Sequence, residues 1–388
     1  MYSIKHFSSL CAETVSLPIY KFKEQKCFSG FGEVTHITYY KCGNVGDTVL
    51  SQCVRRTLEI LCGIKSWNLI PVDRVVDEKL IKTINHSKLL LIGGGGLFLP
   101  DSNYNSISGW QWAISSNQLS SIQCPIVIYS VGYNYFRGQF SNNIFENSVN
   151  NIIEQSAFVG LRNLGSIKAI NNLLQKSSNK LIYQPCTTTL IRKIFPTLPP
   201  KTETQNVAFN VAFDREELRY GKDKIIILKQ ISYAMKSLLN MGYNIYYLAH
   251  CYNDLEFIKF IGDILKKIKI IDMSEWYPHS VYQLYNKMDC VIGMRGHAQM
   301  IPFGLNCEII SLGSHEKMKW FLQDINATDW YIELREEPNT ISDRIIQLFN
   351  NIHCKKNTKQ RLIDSQDLLW ENTLHNAFII NKIINKSC

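Results

Sequence analysis

The sequence VIGMRGHAQMIPFGLNCEIISLGSHEK, residues 291–317, contains two short apolar runs with a helical segment between them. The runs MDCVIGM and CEIISLG each end at glycine or a polar cluster, as parallel strands buried on both faces do, and HAQMIPFGL predicts a helix. This strand–helix–strand order is typical of a parallel α/β sheet, in which ligands bind beyond the carboxyl ends of the strands. The stretch therefore predicts the fold class and the edge of the sheet at which a site would lie.

Three side chains that bind anions lie at these predicted strand ends. Arg295 and His297 follow the first strand, and Lys317 follows the second. A helix start favours anions through its free N–H groups and its dipole, and arginine adds a planar fork suited to carboxylate or phosphate. Taken singly, each residue is more often an ion-pair partner, a helix cap or a solvated lysine. Their joint position predicts a phosphate or carboxylate site.

The residues TYYKCGNVGDTVLSQCV, 38–54, predict a strand, a glycine turn and the start of a helix. The turn contains Asn44, Gly46 and Asp47, and glycine there permits positive φ. Two interpretations of Asp47 are equally good, because aspartate is a preferred N-cap residue and can also hold the hydroxyl of an acceptor.

The run LLLIGGGGLFL, 89–99, predicts a buried strand that ends in a tight glycine turn. Backbone N–H groups at Gly94 and Gly95 could approach a ligand closely there. The run nevertheless lacks the Gly-Lys-Ser/Thr ending of a phosphate loop and the spacing of dinucleotide-binding glycines. The following loop, 100–113, contains Trp110 and Trp112. Stacking on a sugar and packing within the loop are both open interpretations of these rings.

Arg162 ends a further predicted strand, within SAFVGLRNLGS at residues 156–166. With this segment the chain resembles the polysaccharide pyruvyltransferases over most of its length. The shared motifs are R-x-H at 295–297, a small-residue and proline segment at 301–304, a lysine before an aromatic helix at 317–321, N-x-G-D at 44–47 and the glycine run. The chain departs from the family at Asn163, where the motif R-D-x-x-S has aspartate, while Arg162 and Ser166 fit.

The resemblance implies two Rossmann-like domains that face a cleft, the glycosyltransferase-B arrangement. It also implies transfer of pyruvate from phosphoenolpyruvate to two hydroxyls of one sugar, as a cyclic ketal, with no further cofactor and no metal. The donor-binding residues would then be Arg162, Arg295, His297 and Lys317. The acceptor side and its loops would contain Asn44, Asp47, Gly94, Gly95, Trp110 and Trp112.

The same resemblance implies catalytic roles for Arg295, His297 and Asp47. Histidine is a natural proton carrier because its ordinary pKa lies near working pH. Asp47 is the first candidate for the general base that activates the sugar hydroxyl, and Asp214 and Asp254, near other predicted strand ends, are alternatives.

The order of predicted elements gives two α/β halves joined by the polar, proline-rich segment 193–205. We expect an N-terminal Rossmann-like domain at 1–195 on the acceptor side and a C-terminal one at 196–355 on the donor side. A C-terminal helix at 356–388 should pack back across both.

The composition is that of a large soluble enzyme, since 388 residues with 45% hydrophobic content can bury two cores. Twelve cysteines without a C-x-x-C pair predict reduced thiols rather than zinc or disulfides. No apolar run reaches the roughly 20 residues of a membrane span, and the first residues lack a signal-peptide pattern, so the expected location is the cytosol. The formal charge of +9 suits an anionic donor, a lipid-diphosphate-linked acceptor and peripheral contact with an acidic membrane surface.

Three classes of function remain open from the residues alone. The first is the ketal-forming transferase, and the second is a conventional nucleotide-sugar glycosyltransferase of cell-surface polysaccharide synthesis on the same architecture. The third is a non-catalytic binder of glycan or nucleic acid, although no nucleic-acid-binding motif accompanies the positive charge. The joint presence of Arg295, His297 and Lys317 favours the first class.

Overall fold

Two parallel sheets form the frame of the protein, whose computed structural model describes residues 32–40, 43–101, 103–136, 138–174, 179–353 and 357–386. The strands of the first sheet are β1 Val34–Thr38, β2 Trp67–Pro71, β3 Leu89–Phe98, β4 Ile126–Tyr133, β5 Phe158–Leu161 and β6 Leu181–Tyr183. Their spatial order is β2-β1-β3-β4-β5-β6, and every pairing is parallel.

The second sheet repeats this architecture with β7 Asn206–Asn210, β8 Asn244–Ala249, β9 Lys269–Asp272, β10 Cys290–Gly293, β11 Glu308–Gly313 and β12 Tyr331–Glu333. Its order is β12-β11-β10-β7-β8-β9, again parallel throughout. The apolar runs that predicted strands are buried on both faces, as parallel sheets between helices require. The predicted fold class, two Rossmann-like α/β units, is confirmed.

Helices cover both sheets. In the described residues they are α1 Val45–Cys62, α2 Glu78–Asn85, α3 Ser116–Ser120, α4 Asn143–Gln155, α5 Leu164–Leu173, α6 Ile191–Ile194, α7 Glu216–Tyr220, α8 Lys224–Asn240, α9 Ile258–Ile261, α10 Pro278–Tyr285, α11 His297–Gly304, α12 Glu316–Asp324, α13 Ile341–His353 and α14 Asn357–Lys386. In this part of the chain, none is both long and apolar enough to cross a bilayer.

The strand order of each sheet reverses direction at one place. In the first sheet the reversal lies between β1 and β3, and in the second between β7 and β10. Connections leave such neighbouring strands toward opposite faces, which opens a crevice beyond their carboxyl ends. The two crevices, and the residues that follow β1, β3, β7 and β10, are therefore the places where a ligand fits.

The glycine run lies inside β3 rather than in a turn after it, which corrects the predicted strand end. Gly93 and Gly95 pair with Tyr129 and Val131 of β4, and the register shifts only between Gly95 and Phe98. A Cβ on Gly93 would overlap the carbonyl oxygen of Tyr129. The glycines thus let β3 run close beside β4.

The long C-terminal helix α14 contacts both sheet units. The side chain of Asn376 donates to the carbonyl of Tyr183 in β6 at 2.8 Å. Nearer its start, Gln366 donates to the carbonyl of Phe303 in α11 at 2.5 Å. Both of these α14 side chains are buried, so the helix joins the two units through satisfied polar contacts.

Candidate functional site

A cavity of about 610 Å³ lies where the two crevices face each other. From the first sheet unit it is lined by Tyr39, Gly43, Asn44, Asp47, Gly96, Leu99, Asn134 and Arg162, here called the first-sheet wall. From the second it is lined by Asp214, Arg215, Arg219, His250, Cys251, Tyr252, Asn253, Arg295, Gly296, His297, Met300 and Lys317, here called the second-sheet wall. Every predicted donor residue therefore faces one space, although the residues come from both sheet units.

The N-x-G-D motif is explained by its contact with His297. Asn44, not Asp47, caps α1, because its side chain accepts from the N–H of Gly46 at 3.1 Å. A Cβ on Gly46 would lie 2.6 Å from Nδ1 of His297, so only glycine leaves room for that ring. The Asp47 carboxylate is then free of capping and lies 3.9 Å from the same Nδ1.

Asp47 is held by Asn44, whose amide donates to it at 2.7 Å. Burial raises the pKa of Asp47, and the nearby charges of Lys317, Arg162 and Arg295 oppose that rise. A carboxylate with a raised pKa is a better proton acceptor than an exposed one. The geometry is compatible with the general-base role expected of Asp47.

Arg162 enters the cavity at the end of β5. A Cβ on Gly132, in the neighbouring β4, would overlap its guanidinium, so that glycine makes the space for the charge. Arg162 is 6% exposed, and its Nε and Nη2 have no hydrogen-bond partner among the described residues. A buried guanidinium with free donors is a site for an anion.

The departure at Asn163 leaves local structure unchanged. The Asn163 side chain accepts from the N–H of Ser166 at 2.7 Å and caps α5. Ser166 in turn accepts from the N–H of Tyr133 at 3.0 Å. Asparagine and aspartate cap helices about equally well, so the substitution removes a charge beside Arg162 without removing the cap.

Lys317 is brought beside Arg162 by packing between the two sheet units. A Cβ on Gly165 in α5 would overlap the ring of Trp320 in α12, so the two helices meet without a side chain between them. Asp324, at the end of α12, accepts from the N–H of Leu164 at 3.3 Å. This contact explains the aromatic residue that follows the lysine in the motif.

Lys317 has no acidic partner within ion-pair distance in the described part of the chain. Burial, and then repulsion by Arg162 and Arg219, holds the pKa of Lys317 well below its ordinary value. The pKa of His297 is also well below its ordinary value, because of burial and then the charges of Arg162 and Lys317. The empty site thus stores electrostatic repulsion that an entering anion would relieve.

Arg295 is engaged differently from the other cations. Its Nε and Nη2 donate to Asp254 at 2.7 and 2.6 Å, and its Nη1 lies 2.8 Å from Asp214. The donors at Nε, Nη1 and Nη2 therefore have acidic partners. Arg295 thus fixes two carboxylates while it also lines the cavity, and its donor-binding and catalytic roles stay predictions.

The two alternative bases are tied up in the same network. Asp254 is fully buried and accepts from the N–H of His250 at 3.1 Å and from Arg295. Burial alone would raise the pKa of Asp214, but Arg219, Arg295 and Arg215 outweigh it and hold that pKa far below the usual range. Both oxygens of Asp254 accept from Arg295, and the pKa of Asp214 is low, which leaves Asp47 as the candidate.

Comparison with known proteins identifies the family of the chain. The family model described as polysaccharide pyruvyl transferase matches residues 44–316, a span that begins at Asn44 and ends beside Lys317. The chain belongs to the polysaccharide pyruvyl transferase family. It is an enzyme, a pyruvyltransferase that acts on polysaccharide. No curated protein matches it significantly.

Solved structures support the fold of this pyruvyltransferase. A glycosyltransferase from Rickettsia africae ESF-5 is similar over 91% of the chain and 98% of its own length, with 12% identity and a TM-score of 0.55. A putative UDP-N-acetylglucosamine 2-epimerase from Listeria monocytogenes matches 85% of the chain and 90% of its own, with 9% identity and a TM-score of 0.53. At such identities the likeness shows the glycosyltransferase-B-like arrangement of two Rossmann units and nothing about substrates.

Four residues expected on the acceptor side or in its loops do not line the cavity of the pyruvyltransferase, and of the two open interpretations of the tryptophans the structure supports packing. Trp110 and Trp112 are fully buried in the first-sheet core, where Trp110 packs edge-on against Phe98 and donates to Ser148 at 3.0 Å. Rings without exposed surface cannot stack on a sugar. Gly94 and Gly95 face α1 instead, where a Cβ on Gly94 would lie 3.1 Å from the side chain of Leu50.

Several cavity residues were missed by the sequence reasoning. Arg215 and Arg219 follow β7 in the charged stretch DREELR, of which only Asp214 was named, as an alternative base. His250 follows β8 and shares a hydrogen bond of 2.6 Å with the hydroxyl of Tyr285, while burial lowers its pKa to about 3. No local pattern marks Asn134, because its position depends on how β3 and β4 pair.

An ion pair and an aromatic ring also join the two sheet units. Arg215 donates from Nε and Nη2 to Asp101, which follows β3, at 2.7 and 2.5 Å. Phe136, after β4, stacks on His315 with ring centroids 4.4 Å apart. The guanidinium of Arg219 lies 5.1 Å from the centroid of the Phe136 ring. These contacts hold the first-sheet wall against the second in this structure.

Proposed function

We propose that the enzyme transfers pyruvate from phosphoenolpyruvate to two hydroxyls of one sugar in a polysaccharide or lipid-linked glycan precursor. The observation that carries the proposal is the pair Arg162 and Lys317, two cations in the cavity without acidic partners among the described residues. Phosphoenolpyruvate presents a phosphate and a carboxylate, and it donates no strong hydrogen bonds. Such a ligand is attracted by the two unpaired cations and by the open donors of Arg162.

In the reaction, a proton adds to the terminal CH₂ carbon of the enol and converts it into a methyl group. The oxygen of one sugar hydroxyl bonds to the neighbouring carbon and loses its proton. The carbon–oxygen bond to phosphate then breaks, the second hydroxyl closes the ring, and its proton leaves with inorganic phosphate. The two hydroxyl protons thus balance the proton gained by the methyl group and the one carried by phosphate.

His297 is the proposed proton donor to the enol, and Asp47 the proposed acceptor of the hydroxyl proton. His297 is neutral in the empty site because burial and two neighbouring cations lower its pKa. A bound phosphate and carboxylate would oppose those cations and favour protonation of the ring. Binding of the donor would thereby charge the acid that the first step needs.

The experiment is thermal unfolding of the protein with phosphoenolpyruvate, inorganic phosphate and a panel of UDP-sugars. A ligand at a hundred times its dissociation constant stabilises the fold by about 2.7 kcal/mol. We expect this shift with phosphoenolpyruvate for the wild type and for Lys319→Met, an exposed lysine on the same helix, and its loss for Lys317→Met.

The alternative is a nucleotide-sugar glycosyltransferase, to which the fold likeness extends. Stabilisation by a UDP-sugar and none by phosphoenolpyruvate would refute the proposed donor and favour that alternative. Phosphate alone should give a smaller shift that also depends on Lys317, because it fills only part of the site.

We further propose that the enzyme works in the cytosol at the inner face of the membrane. The formal charge of +9 is suited to an acidic lipid surface and to a lipid-diphosphate acceptor. Co-sedimentation with vesicles of anionic and of zwitterionic lipid tests this, and equal binding to both at low salt would contradict the electrostatic argument.

A further inference from the structure

Four described residues of the first-sheet wall, at the carboxyl ends of β1, β3 and β4, carry no charge. They are Tyr39, Gly96, Leu99 and Asn134. The second-sheet wall opposite carries three arginines, a lysine and two histidines against one aspartate, Asp214. A neutral polar surface facing a cationic one is suited to two chemically different ligands, held side by side.

Asn134 has an unsatisfied acceptor at the cavity. Its backbone N–H donates to the carbonyl of Phe98 at 3.0 Å, which fixes the residue just after β4. The side chain is 6% exposed, and Oδ1 has no hydrogen-bond partner among the described residues. A buried carbonyl oxygen without a donor is unfavourable, so its position at a cavity indicates that a ligand supplies the donor.

Gly96 preserves the position of that amide. A Cβ there would lie 3.1 Å from Nδ2 and 3.2 Å from Cβ of Asn134, closer than side chains normally pack. The last glycine of the run thus has a function at the site, whereas Gly94 packs on Leu50. The run as a whole shapes both the strand and this wall.

Tyr39 presents a second acceptor. Its hydroxyl donates to Oε1 of Gln111, a fully buried residue. The side-chain amide of Gln111 is itself held by the carbonyl of Leu99 at 3.0 Å. Because the phenol proton is directed to Gln111, the oxygen offers its lone pairs to a ligand. Burial, together with the charges of Asp47 and Asp73, raises the pKa of Tyr39, so the phenol stays protonated.

These acceptors are matched to hydroxyl groups and not to phosphoenolpyruvate. A sugar diol has two O–H donors, whereas phosphate and carboxylate oxygens only accept when ionised. Arg162 occupies the space at Gly132, two residues before Asn134 along the end of β4. A hydroxyl bound at Asn134 would therefore lie next to an anion bound at Arg162.

We propose that Asn134 and Tyr39 form the acceptor subsite, which receives two hydroxyls of a neutral pyranose. The assignment rests on the proposed function for the reaction that follows, but it makes its own claim about binding. It replaces Trp110 and Trp112 as the sugar-recognising residues of the first-sheet unit.

The test measures glycoside binding separately from donor binding. Methyl pyranosides of glucose, galactose, mannose and N-acetylmannosamine, and their 4,6-O-benzylidene derivatives, are titrated by saturation-transfer NMR with inorganic phosphate in the anion site. The variants are Asn134→Ala and Tyr39→Phe. The matched controls are Asn143→Ala and Tyr104→Phe, exposed residues of the same sheet unit. Calorimetry gives the phosphoenolpyruvate affinity of each protein.

We expect at least one free diol to bind the wild type and both controls, and blocking of its hydroxyls to abolish binding. Each test variant should weaken that binding at least fivefold and leave the phosphoenolpyruvate affinity within twofold. If Asn134→Ala does not fold, Tyr39→Phe decides the question alone.

Two results would overturn the subsite. One is unchanged glycoside affinity in the variants that fold, or a loss of phosphoenolpyruvate affinity instead, which would assign this wall to the donor. The other is that no glycoside of the panel binds the wild type. Failure of the proposed function looks different, since a wild type that binds glycosides but not phosphoenolpyruvate would keep the subsite and lose the donor.

Discussion

The two walls of the cavity differ in how much of their charge is available to a ligand. The second-sheet wall holds most of the cations, yet Arg295 and Arg219 are paired with Asp254 and Asp214. The first-sheet wall supplies Arg162, whose Nε and Nη2 have no hydrogen-bond partner in the described part of the chain. The positive charge available to a ligand therefore depends on which cations lack acidic partners and not on how many cations line the cavity. The paired arginines mainly hold carboxylates in place.

The largest expected effect tests whether Arg295 is structural. Arg295→Ala leaves the Asp254 carboxylate fully buried without its guanidinium partner. Removal of one member of a buried ion pair typically destabilises a protein by about 3–5 kcal/mol. We expect a loss of this size in urea unfolding of the free protein.

The matched control is Arg56→Ala. Arg56 pairs with Glu59 at the surface, with side chains 46% and 34% exposed, and such pairs contribute about 0–1 kcal/mol. A similar, small loss for both variants would show that the Arg295 network is not a buried structural unit. Arg295 would then return to the candidates for donor binding.

The next effect tests whether Gly46, in the first sheet unit, sets the position of His297 in the second. Gly46→Ala would force His297 to move, because the new Cβ would lie 2.6 Å from its Nδ1. Misplacement of a catalytic group by about 1 Å can reduce turnover roughly a hundredfold. We expect kcat to fall by that order while phosphoenolpyruvate still binds.

Gly296→Ala is the control for this substitution. It lines the same cavity, but its Cβ would lie 3.7 Å from Cε of Lys317, an ordinary contact. Turnover within a few-fold of wild type is expected. Equal losses in the two glycine variants would mean that His297 is not the sensitive group.

A third effect tests the lowered pKa of Lys317 through the pH dependence of protein stability. The pKa of Lys317 is lowered in the folded protein, mainly by burial, so the unfolded chain binds more protons in the window between that pKa and about 10.5. The stability of the free wild type relative to Lys317→Met should therefore rise with pH in this window.

The affinity for phosphoenolpyruvate should change in the opposite direction. Donor binding favours the protonated forms of Lys317 and His297, whose pKa values are low in the empty site. For each proton taken up on binding, the affinity falls by up to about tenfold for each unit by which the pH rises. Calorimetry in two buffers of different ionisation enthalpy measures this uptake, and its absence in wild type would contradict the proposed charging of the site.

The fold could be predicted from the sequence because strands and helices show themselves as local patterns of apolar and polar residues. Apolar runs such as 289–293 and 308–312 became strands, and the groups that follow them, Arg295, His297 and Lys317, line one cavity. Arg162 was predicted in the same way from the end of its strand. Strand ends of a parallel sheet meet at one edge whatever the details of packing.

The features that the sequence did not predict are contacts between distant residues. The pairing of Arg295 with Asp254, 41 residues before it, leaves no mark in either local segment. The burial of Trp110 and Trp112 depends on how their loop folds onto the core. Gly93 continues β3 only because the Tyr129 carbonyl lies beside it. Pairing, burial and close approach are tertiary properties, and a single sequence contains no direct record of them.

The smallest expected effect concerns the residue at which the chain departs from its family motif. Asn163 caps α5 through its bond to the N–H of Ser166. Asn163→Ala should cost about 1 kcal/mol of stability, the usual value for a lost N-cap, whereas Asn163→Asp keeps the cap. An aspartate there would also place a carboxylate close to Arg162, so we expect weaker phosphoenolpyruvate binding with little change in thermal unfolding. Unchanged affinity in Asn163→Asp would mean that the capping oxygen is too well shielded from Arg162 to pair with it, and the free charge of the first-sheet wall would then be independent of residue 163.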